Sequence, residues 1–253
     1  MRVRILPRRL SSWLVRHVLE RGDFIDTSSV VRLEEYGLDD PQRWHYVASS
    51  RFVVPLVLRR IGVGPDDVFI DVGSGMGRVV YQAAKFPFKR VIGLEIAEEL
   101  NRVARYNIDH NRDRLTCQNV ELVTEDAVKY QVPDDLTVAY FYNPFEGPFF
   151  ARVVDNLIAS LDRNPRRLRI IYYLPQYMNY PDYLLETGRF VLERKMKAPR
   201  PAPLRHWHDV LLFRSKAPAP APVEGPAMTA AGPAIEPALR RGADGAAIPV
   251  LRP

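Results

Sequence analysis

The chain has 253 residues, of which 47% are apolar and 26% charged, and its formal net charge is +6. The apolar content is sufficient for a substantial core and excludes a chain that is disordered throughout. The single cysteine, Cys117, excludes an intramolecular disulfide, and the apolar runs are too short for a membrane span, so we expect a soluble cytoplasmic protein.

Charge is distributed unevenly along the chain. Residues 1–22 carry six arginines and one glutamate. Residues 23–162 contain 15 basic and 22 acidic residues, whereas residues 163–215 contain 11 basic and 4 acidic residues. For a charged partner, the place of this basic stretch in the fold therefore matters more than the net charge.

Composition divides the chain into four segments. Residues 1–22 form a basic arm with helical spacing, which is either an amphipathic helix for anionic lipid or RNA or a helix packed on the domain. Residues 23–62 are expected to contain a lid and a helix, and residues 63–215 the main domain. The proline- and alanine-rich tail, 216–253, has few large apolar side chains and is expected to be disordered.

Short apolar runs alternate with helical patterns through the main domain. Nearly continuous apolar runs are typical of strands that are covered on both faces, as in a parallel sheet. Apolar residues recur at helical spacing over 96–108 and 149–161. This alternation predicts a doubly wound α/β fold, and two final runs without room for a helix between them predict an antiparallel ribbon at the sheet edge. The expected strands are 67–72, 90–96, 119–124, 136–142, 168–174, 189–196 and 207–214.

Three candidate ligand positions follow three successive strands. After the first strand, which carries Asp71, glycines recur at every second position before a helix expected from Arg78, so a ligand can approach the backbone and the helix N-terminus. Glu95 ends the second strand, where a carboxylate can accept hydrogen bonds from both hydroxyls of a ribose. Asp126 follows the third strand and can accept from an exocyclic amine. The glycines are Gly73, Gly75 and Gly77.

These motifs resemble the class I S-adenosylmethionine-dependent methyltransferases, whose mostly parallel seven-stranded sheet ends in a similar strand ribbon. The resemblance implies that the glycine loop holds the methionine portion of S-adenosyl-L-methionine, Glu95 the ribose and Asp126, with Ala127, the adenine. The segment before the loop is also similar to non-SET protein-lysine methyltransferases. A group of unassigned bacterial methyltransferases shares the ending Tyr-Asn-Pro-Phe at 142–145.

The ending at 142–145 is the candidate catalytic segment. Tyr142, Asn143 and Phe145 would lie at the carboxyl end of the fourth strand, where ligands bind in such sheets. The carbonyl of Asn143 would orient an attacking N–H, and Phe145 would shield or stack on the acceptor. This resembles the Asn-Pro-Pro-Tyr/Phe motif of enzymes that methylate adenine or glutamine, although this chain has one proline fewer. The alternative is an ordinary turn that leaves the strand.

Two further segments would border the cleft. Tyr46 is a candidate contact for the cofactor or acceptor, with simple packing as its alternative. A helix is expected to follow, which Ser49 or Ser50 can cap. This helix tolerates Pro55 only in its first turn. The connection 195–207 would lie on the ligand side and favour an acidic acceptor, or be a solvated loop. Its cations are Lys195, Lys197, Arg200 and Arg205.

We expect no metal, because His206 and His208 lack a cysteine or carboxylate partner at ligand spacing other than Asp209. The resemblance predicts a methyltransferase that acts on a protein side chain or small amine. Two alternatives stay open: methylation of RNA or DNA bases, and a protein that binds the cofactor as a sensor or scaffold without turnover. The neutral body, 23–215, and the lack of a recognisable nucleic-acid module weigh against the first alternative.

Overall fold

The computed structural model describes residues 25, 27, 49–142, 147–174, 182–198 and 209–216, all within one compact unit. The strands are β1 (Val68–Val72), β2 (Arg90–Glu95), β3 (Val120–Thr124), β4 (Val138–Phe141), β5 (Arg169–Leu174), β6 (Phe190–Lys197) and β7 (Asp209–Ser215). The helices of the described residues are α1 (Val53–Ile61), α2 (Arg78–Ala84), α3 (Glu98–Asp109), α4 (Gly147–Arg163) and α5 (Asp182–Glu186), with a 3-10 turn at Arg112–Arg114. None of these helices is long and apolar enough to cross a membrane.

The seven strands form one sheet in the order β3-β2-β1-β4-β5-β7-β6. The first five strands are parallel, and β7 is antiparallel to both β5 and β6, so β6 again runs in the direction of the first five. This arrangement confirms the predicted α/β fold class and the terminal antiparallel ribbon. The strand bounds agree with the sequence prediction to within two residues.

The central strands are buried on both faces, which explains their continuous apolar sequence. Every residue of β1 and of β4 is buried. Phe69 and Tyr140 lie in a cluster with apolar residues of α1 and α2, whereas Ile70 and Phe141 lie in a second cluster with α4. Because alternate residues of a strand point to opposite faces, each central strand contributes to both clusters.

Helix α1 begins without the predicted serine cap. Its N-cap residue is Phe52, which makes no side-chain cap hydrogen bond, so neither Ser49 nor Ser50 is the N-cap residue, although Oγ of Ser50 accepts the N–H of Phe52 at 3.4 Å. The hydroxyl of Ser49 is instead hydrogen-bonded to the hydroxyl of Tyr140 at 2.6 Å. Pro55 does lie in the first turn, where its missing N–H leaves no helical hydrogen bond unmade.

Gly77, at the start of α2, allows this helix to pack closely on α3. Its φ is +81°, and a Cβ atom added there would lie 2.8 Å from Cβ and 3.2 Å from Cα of Ala104. Gly62, at the end of α1, has a similar φ of +64° but faces open space. A side chain would be strained at both positions, but it would also be overpacked at Gly77. Substitution of the two glycines therefore distinguishes the cost of backbone strain from the cost of close packing.

We expect Gly77→Ala to lower the free energy of unfolding by roughly 2–4 kcal/mol, because it adds overpacking to backbone strain. Gly62→Ala, which adds only the strain, should cost about 1 kcal/mol. Urea denaturation of both variants measures the difference. Equal losses in the two variants would contradict the packing argument.

Candidate active site

The carboxyl ends of the parallel strands form one edge of the sheet, and the predicted ligand positions lie along it. Strand β1 is flanked by β2 on one side and β4 on the other. In register, Asp71 is paired with Gly93 of β2 and with Tyr140 of β4. The connection after β1 leads to β2 and the connection after its other neighbour, β4, leads to β5, on opposite sides, and an open α/β sheet binds ligands where its connections diverge in this way.

The glycine loop folds back onto the end of β2. The N–H groups of Gly73 and Ser74 both donate to the carbonyl of Leu94, at 2.9 and 3.0 Å. Gly73, Gly75 and Gly77 all have positive φ, at 79°, 53° and 81°. Three left-handed residues within five positions require glycine, independently of any approach by a ligand.

Glu95 connects this loop to the helix that follows β2. Its Oε2 accepts the N–H of Gly75 at 2.8 Å, and its Oε1 accepts the N–H of Ala97 at 3.0 Å. The side chain is buried, and burial raises its pKa more than these backbone donors lower it. A carboxylate has about four acceptor positions, so lone pairs remain for ligand hydroxyls.

Asp71 is a second buried carboxylate at the same edge. Only 3% of the residue is exposed. Burial raises the pKa of Asp71 well above its usual range, and the nearby charge of Glu95 raises it further. Two buried carboxyl groups that oppose each other's ionisation make this edge favourable for a cationic ligand.

Asp126 and Ala127 lie in a turn directly after β3, and both are half-buried. The Oδ1 of Asp126 accepts the N–H of Val128 at 3.1 Å, and its carbonyl accepts the N–H groups of Lys129 and Tyr130. The turn is therefore held by the aspartate itself. This places Asp126 at the third strand end, on the same edge as Asp71 and Glu95.

Tyr142 follows β4 at this edge and stacks on Tyr173 of β5. The two ring centroids lie 4.9 Å apart, with an interplanar angle of 21°. Tyr142 is half-buried, whereas Tyr173 is buried. The other two candidate catalytic residues, Asn143 and Phe145, lie outside the described residues, as does Tyr46.

The upstream segment is attached to this edge by two side chains that the sequence analysis did not assign a role. Tyr140 holds Ser49 through the hydroxyl contact described above. Arg78 donates from Nε to Oγ1 of Thr27 at 2.7 Å and from Nη1 to the carbonyl of Ser49 at 3.2 Å. The only signal in the sequence was Arg78 itself, which stands where a dinucleotide fingerprint has its third glycine.

The basic connection begins on the ligand side of the sheet, as predicted. Lys197 ends β6 and is paired in register with Asp209, the first residue of β7. Lys195 forms an ion pair with Asp209 at 2.8 Å. The remaining candidates on this connection, Arg200, Arg205, His206 and His208, lie outside the described residues.

The segment with the glycine loop, Glu95 and Asp126 matches a known protein family. Residues 47–131 match the family model described as Histone methylation protein DOT1. The H3 lysine-79-specific histone-lysine N-methyltransferase of Drosophila melanogaster is 36% identical over 92 residues, which are 36% of this chain and 5% of that protein. A protein-lysine N-methyltransferase of Saccharolobus islandicus is 40% identical over 67 residues, 26% of this chain and 42% of that protein.

A third relative matches more of the chain. The ribosomal protein L11 methyltransferase of Lactobacillus johnsonii is 30% identical over 166 residues, 64% of this chain and 47% of that protein. The chain thus spans less than half the length of each of these curated relatives. Together with the family match, they confirm the resemblance to class I methyltransferases and the more distant similarity to protein-lysine methyltransferases.

Solved structures agree with the topology. A SAM-dependent methyltransferase from Aquifex aeolicus superposes with a TM-score of 0.50 at 17% identity, over 72% of this chain and 97% of that chain. At this identity the similarity shows a shared fold. It confirms the Rossmann-like methyltransferase architecture that the motifs implied.

The raised pKa of Asp71 predicts a specific dependence of stability on pH. A carboxyl group whose pKa is raised by folding stabilises the fold below its unfolded pKa of about 4, and this contribution is lost as the pH rises through the folded pKa. The contribution of Asp71 to the free energy of unfolding should therefore fall as the pH rises above about 4. Asp71→Asn cannot ionise, so it should remove this contribution to the pH dependence and be more stable than the wild type at neutral pH.

Chemical denaturation across the acid-to-neutral range measures this effect. Asp66→Asn is the control, because Asp66 is an exposed aspartate just before β1. A profile for Asp71→Asn parallel to that of the wild type would show that Asp71 does not carry the effect.

Proposed function

We propose that this chain is an S-adenosylmethionine-dependent methyltransferase that methylates a side-chain amine of a protein. The observation that carries this proposal is the pair of buried carboxyl groups, Asp71 and Glu95, beside a loop whose glycines have positive φ. Buried like charges are unfavourable unless a ligand compensates them. S-adenosylmethionine fits, because it has two cationic groups and a ribose with two hydroxyls.

The residues at the sheet edge have complementary roles in this proposal. Asp71 and the loop that includes Gly73, Gly75 and Gly77 surround the methionine portion, and Glu95 accepts hydrogen bonds from the ribose. Asp126 and Ala127 border the adenine, and Tyr46 contacts the cofactor or the acceptor. When bound, the cofactor supplies an electrophilic methyl group on a sulfonium sulfur.

The acceptor side is assigned to Tyr142, Asn143 and Phe145. An amine attacks only as the neutral base, and removal from water lowers the pKa of an ammonium group. The half-buried ring of Tyr142, stacked on Tyr173, provides an apolar wall for this purpose. Asn143 orients the remaining N–H of the amine, and Phe145 excludes water.

A protein acceptor is supported by the relatives, which are described as histone-lysine, protein-lysine and ribosomal protein methyltransferases. The segment Asn143-Pro144-Phe145 and the basic ends are the features that favour a nucleic-acid base instead.

We also propose that the chain divides into segments after residues 22, 62 and 215, and that the protein is cytoplasmic.

Replacement of Glu95 by glutamine should weaken cofactor binding by roughly tenfold to a hundredfold. The amide donates where one carboxylate oxygen accepts, so a ribose hydroxyl and a backbone N–H lose an acceptor. Calorimetry with S-adenosylmethionine and its demethylated product measures the loss. Glu125→Gln is the control, since Glu125 is an exposed carboxylate just after β3.

If the wild type binds neither compound, or if Glu95→Gln binds as the wild type does, the cofactor assignment is wrong. Thermal unfolding of both variants without ligand identifies any loss that arises from misfolding. A stable Glu95→Gln variant with weakened binding is the expected result.

Methyl transfer is tested with radiolabelled cofactor and a host lysate separated into protein, nucleic acid and small molecules. We expect label in protein, with the rate reduced about tenfold to a hundredfold by Asn143→Ala, because this variant loses the group that orients the amine. Cofactor affinity of the variant should stay within about threefold of wild type. Label in nucleic acid would contradict the protein acceptor, and no label despite cofactor binding would contradict turnover.

A further inference from the structure

One side of α4 holds the connection between β3 and β4. This connection, residues 125–137, is described throughout and contains no helix or strand. Side chains at helical spacing along α4 and just beyond its end donate to backbone carbonyls of residues 127–134. Carbonyls outside helices and sheets need other partners, so these side chains fix the path of the connection. The donors are Asn156, Ser160, Arg163 and Asn164.

Asn156 is the donor that reaches the turn with Asp126 and Ala127. Its Nδ2 donates to the carbonyl of Val128 at 2.9 Å and to that of Ala127 at 3.3 Å. A carboxamide nitrogen carries two N–H groups, so one side chain can hold both carbonyls. Ala127 and Val128 also pack against the apolar cluster that contains the buried residues of α4. The turn is therefore attached to α4 as well as to the strand that precedes it.

The carboxylate of Asp126 is connected to Asn156 through one peptide unit. The N–H of Val128 donates to Oδ1 of Asp126 at 3.1 Å. The carbonyl of Ala127, which belongs to the same peptide unit, accepts from Asn156. Because a peptide unit is planar, its N–H and its carbonyl change direction together. The amide of Asn156 therefore fixes the direction of the N–H that holds the carboxylate of Asp126.

This turn has the hydrogen-bonding groups that distinguish adenine from hypoxanthine. Asp126 has carboxylate acceptors, and the N–H of the half-buried Ala127 makes no hydrogen bond within the described part of the chain. Adenine has an amine donor next to a ring-nitrogen acceptor, whereas hypoxanthine has an oxygen acceptor next to a ring N–H. A site that holds an acceptor and a donor in fixed directions rejects the base with the opposite pattern, because both of its groups are then left unpaired.

We propose that Asn156 is a positioning residue that gives the site its preference for adenine. It acts through the turn: by holding the carbonyls of Ala127 and Val128, it keeps the carboxylate of Asp126 and the N–H of Ala127 directed at the base. In this role Asn156 needs no contact with the cofactor. The inference rests on the proposed function, in which Asp126 and Ala127 border the adenine.

The probes are S-adenosylhomocysteine and the same compound with inosine in place of adenosine, each titrated by calorimetry. The wild type should bind the adenosyl compound roughly a hundredfold more tightly than the inosyl compound. Asn156→Ala should bind the adenosyl compound about three- to tenfold more weakly and the inosyl compound within about twofold of the wild type, because the groups that match adenine lose their fixed directions. Asn156→Asp keeps the shape of the side chain but presents oxygens to two carbonyls, so it should lower the ratio of the two affinities at least as much.

Asn164→Ala is the matched control. Asn164 follows α4, and its Nδ2 donates to the carbonyl of Asp134 at 2.7 Å, so this variant also removes an amide hydrogen bond to the same connection. Its ratio of affinities should stay within about twofold of the wild type. A merely structural contribution of Asn156 would lower both affinities, or the midpoint of thermal unfolding, and leave the ratio unchanged. An unchanged ratio in Asn156→Ala or Asn156→Asp, or an equal fall of the ratio in Asn164→Ala, would overturn the proposal.

The titrations of the wild type separate this inference from the proposed function. Equal affinity of the wild type for the adenosyl and inosyl compounds would leave the cofactor assignment standing and overturn only the role of this turn and of Asn156. No binding of S-adenosylhomocysteine by the wild type would contradict the proposed function, and this inference with it.

Discussion

The candidate site depends on the two backbone hydrogen bonds that the carboxylate of Glu95 accepts. This carboxylate accepts one N–H from the glycine loop and one from the start of α3, so it connects the ends of β1 and β2 to the two helices that follow them. The connection is made by a charged group in a buried position, and burial raises its pKa. The site thus uses one side chain both to hold its backbone and to present acceptors to a ligand.

The same position concentrates unfavourable charge. Asp71 is buried near Glu95, and the charge of Glu95 adds to burial in raising the pKa of Asp71, so ionisation of both groups together is unfavourable. Apolar side chains at these two positions would favour the fold alone, and the proposed cofactor site gives the carboxyl groups a role that apolar side chains do not fill. The surrounding structure is closely packed: β1 and β4 are buried along their whole length, and α2 packs on α3 through Gly77.

Much of this architecture was predictable from the sequence because its signals are local. Nearly continuous apolar runs identified the five parallel strands β1 to β5, and the lack of room for a helix between the last two runs identified the final ribbon of β6 and β7. The glycine loop, Glu95 and Asp126 were predictable because strand ends of a parallel sheet meet at one edge. Long-range contacts were not predictable in this way. The hydroxyl of Ser49 is hydrogen-bonded to Tyr140, 91 residues away, and so it does not cap the helix that begins nearby.

Arg78 shows why such contacts matter for function. In a dinucleotide fingerprint its position is a glycine, because helix and strand approach closely there. Here the side chain of Arg78 donates to Oγ1 of Thr27 and to the carbonyl of Ser49. The upstream segment is therefore attached to the first turn of the helix that follows the glycine loop. The start of α2 is thus a shared support, because the glycine loop leads directly into it and the described residues of the upstream segment are hydrogen-bonded to its first side chain.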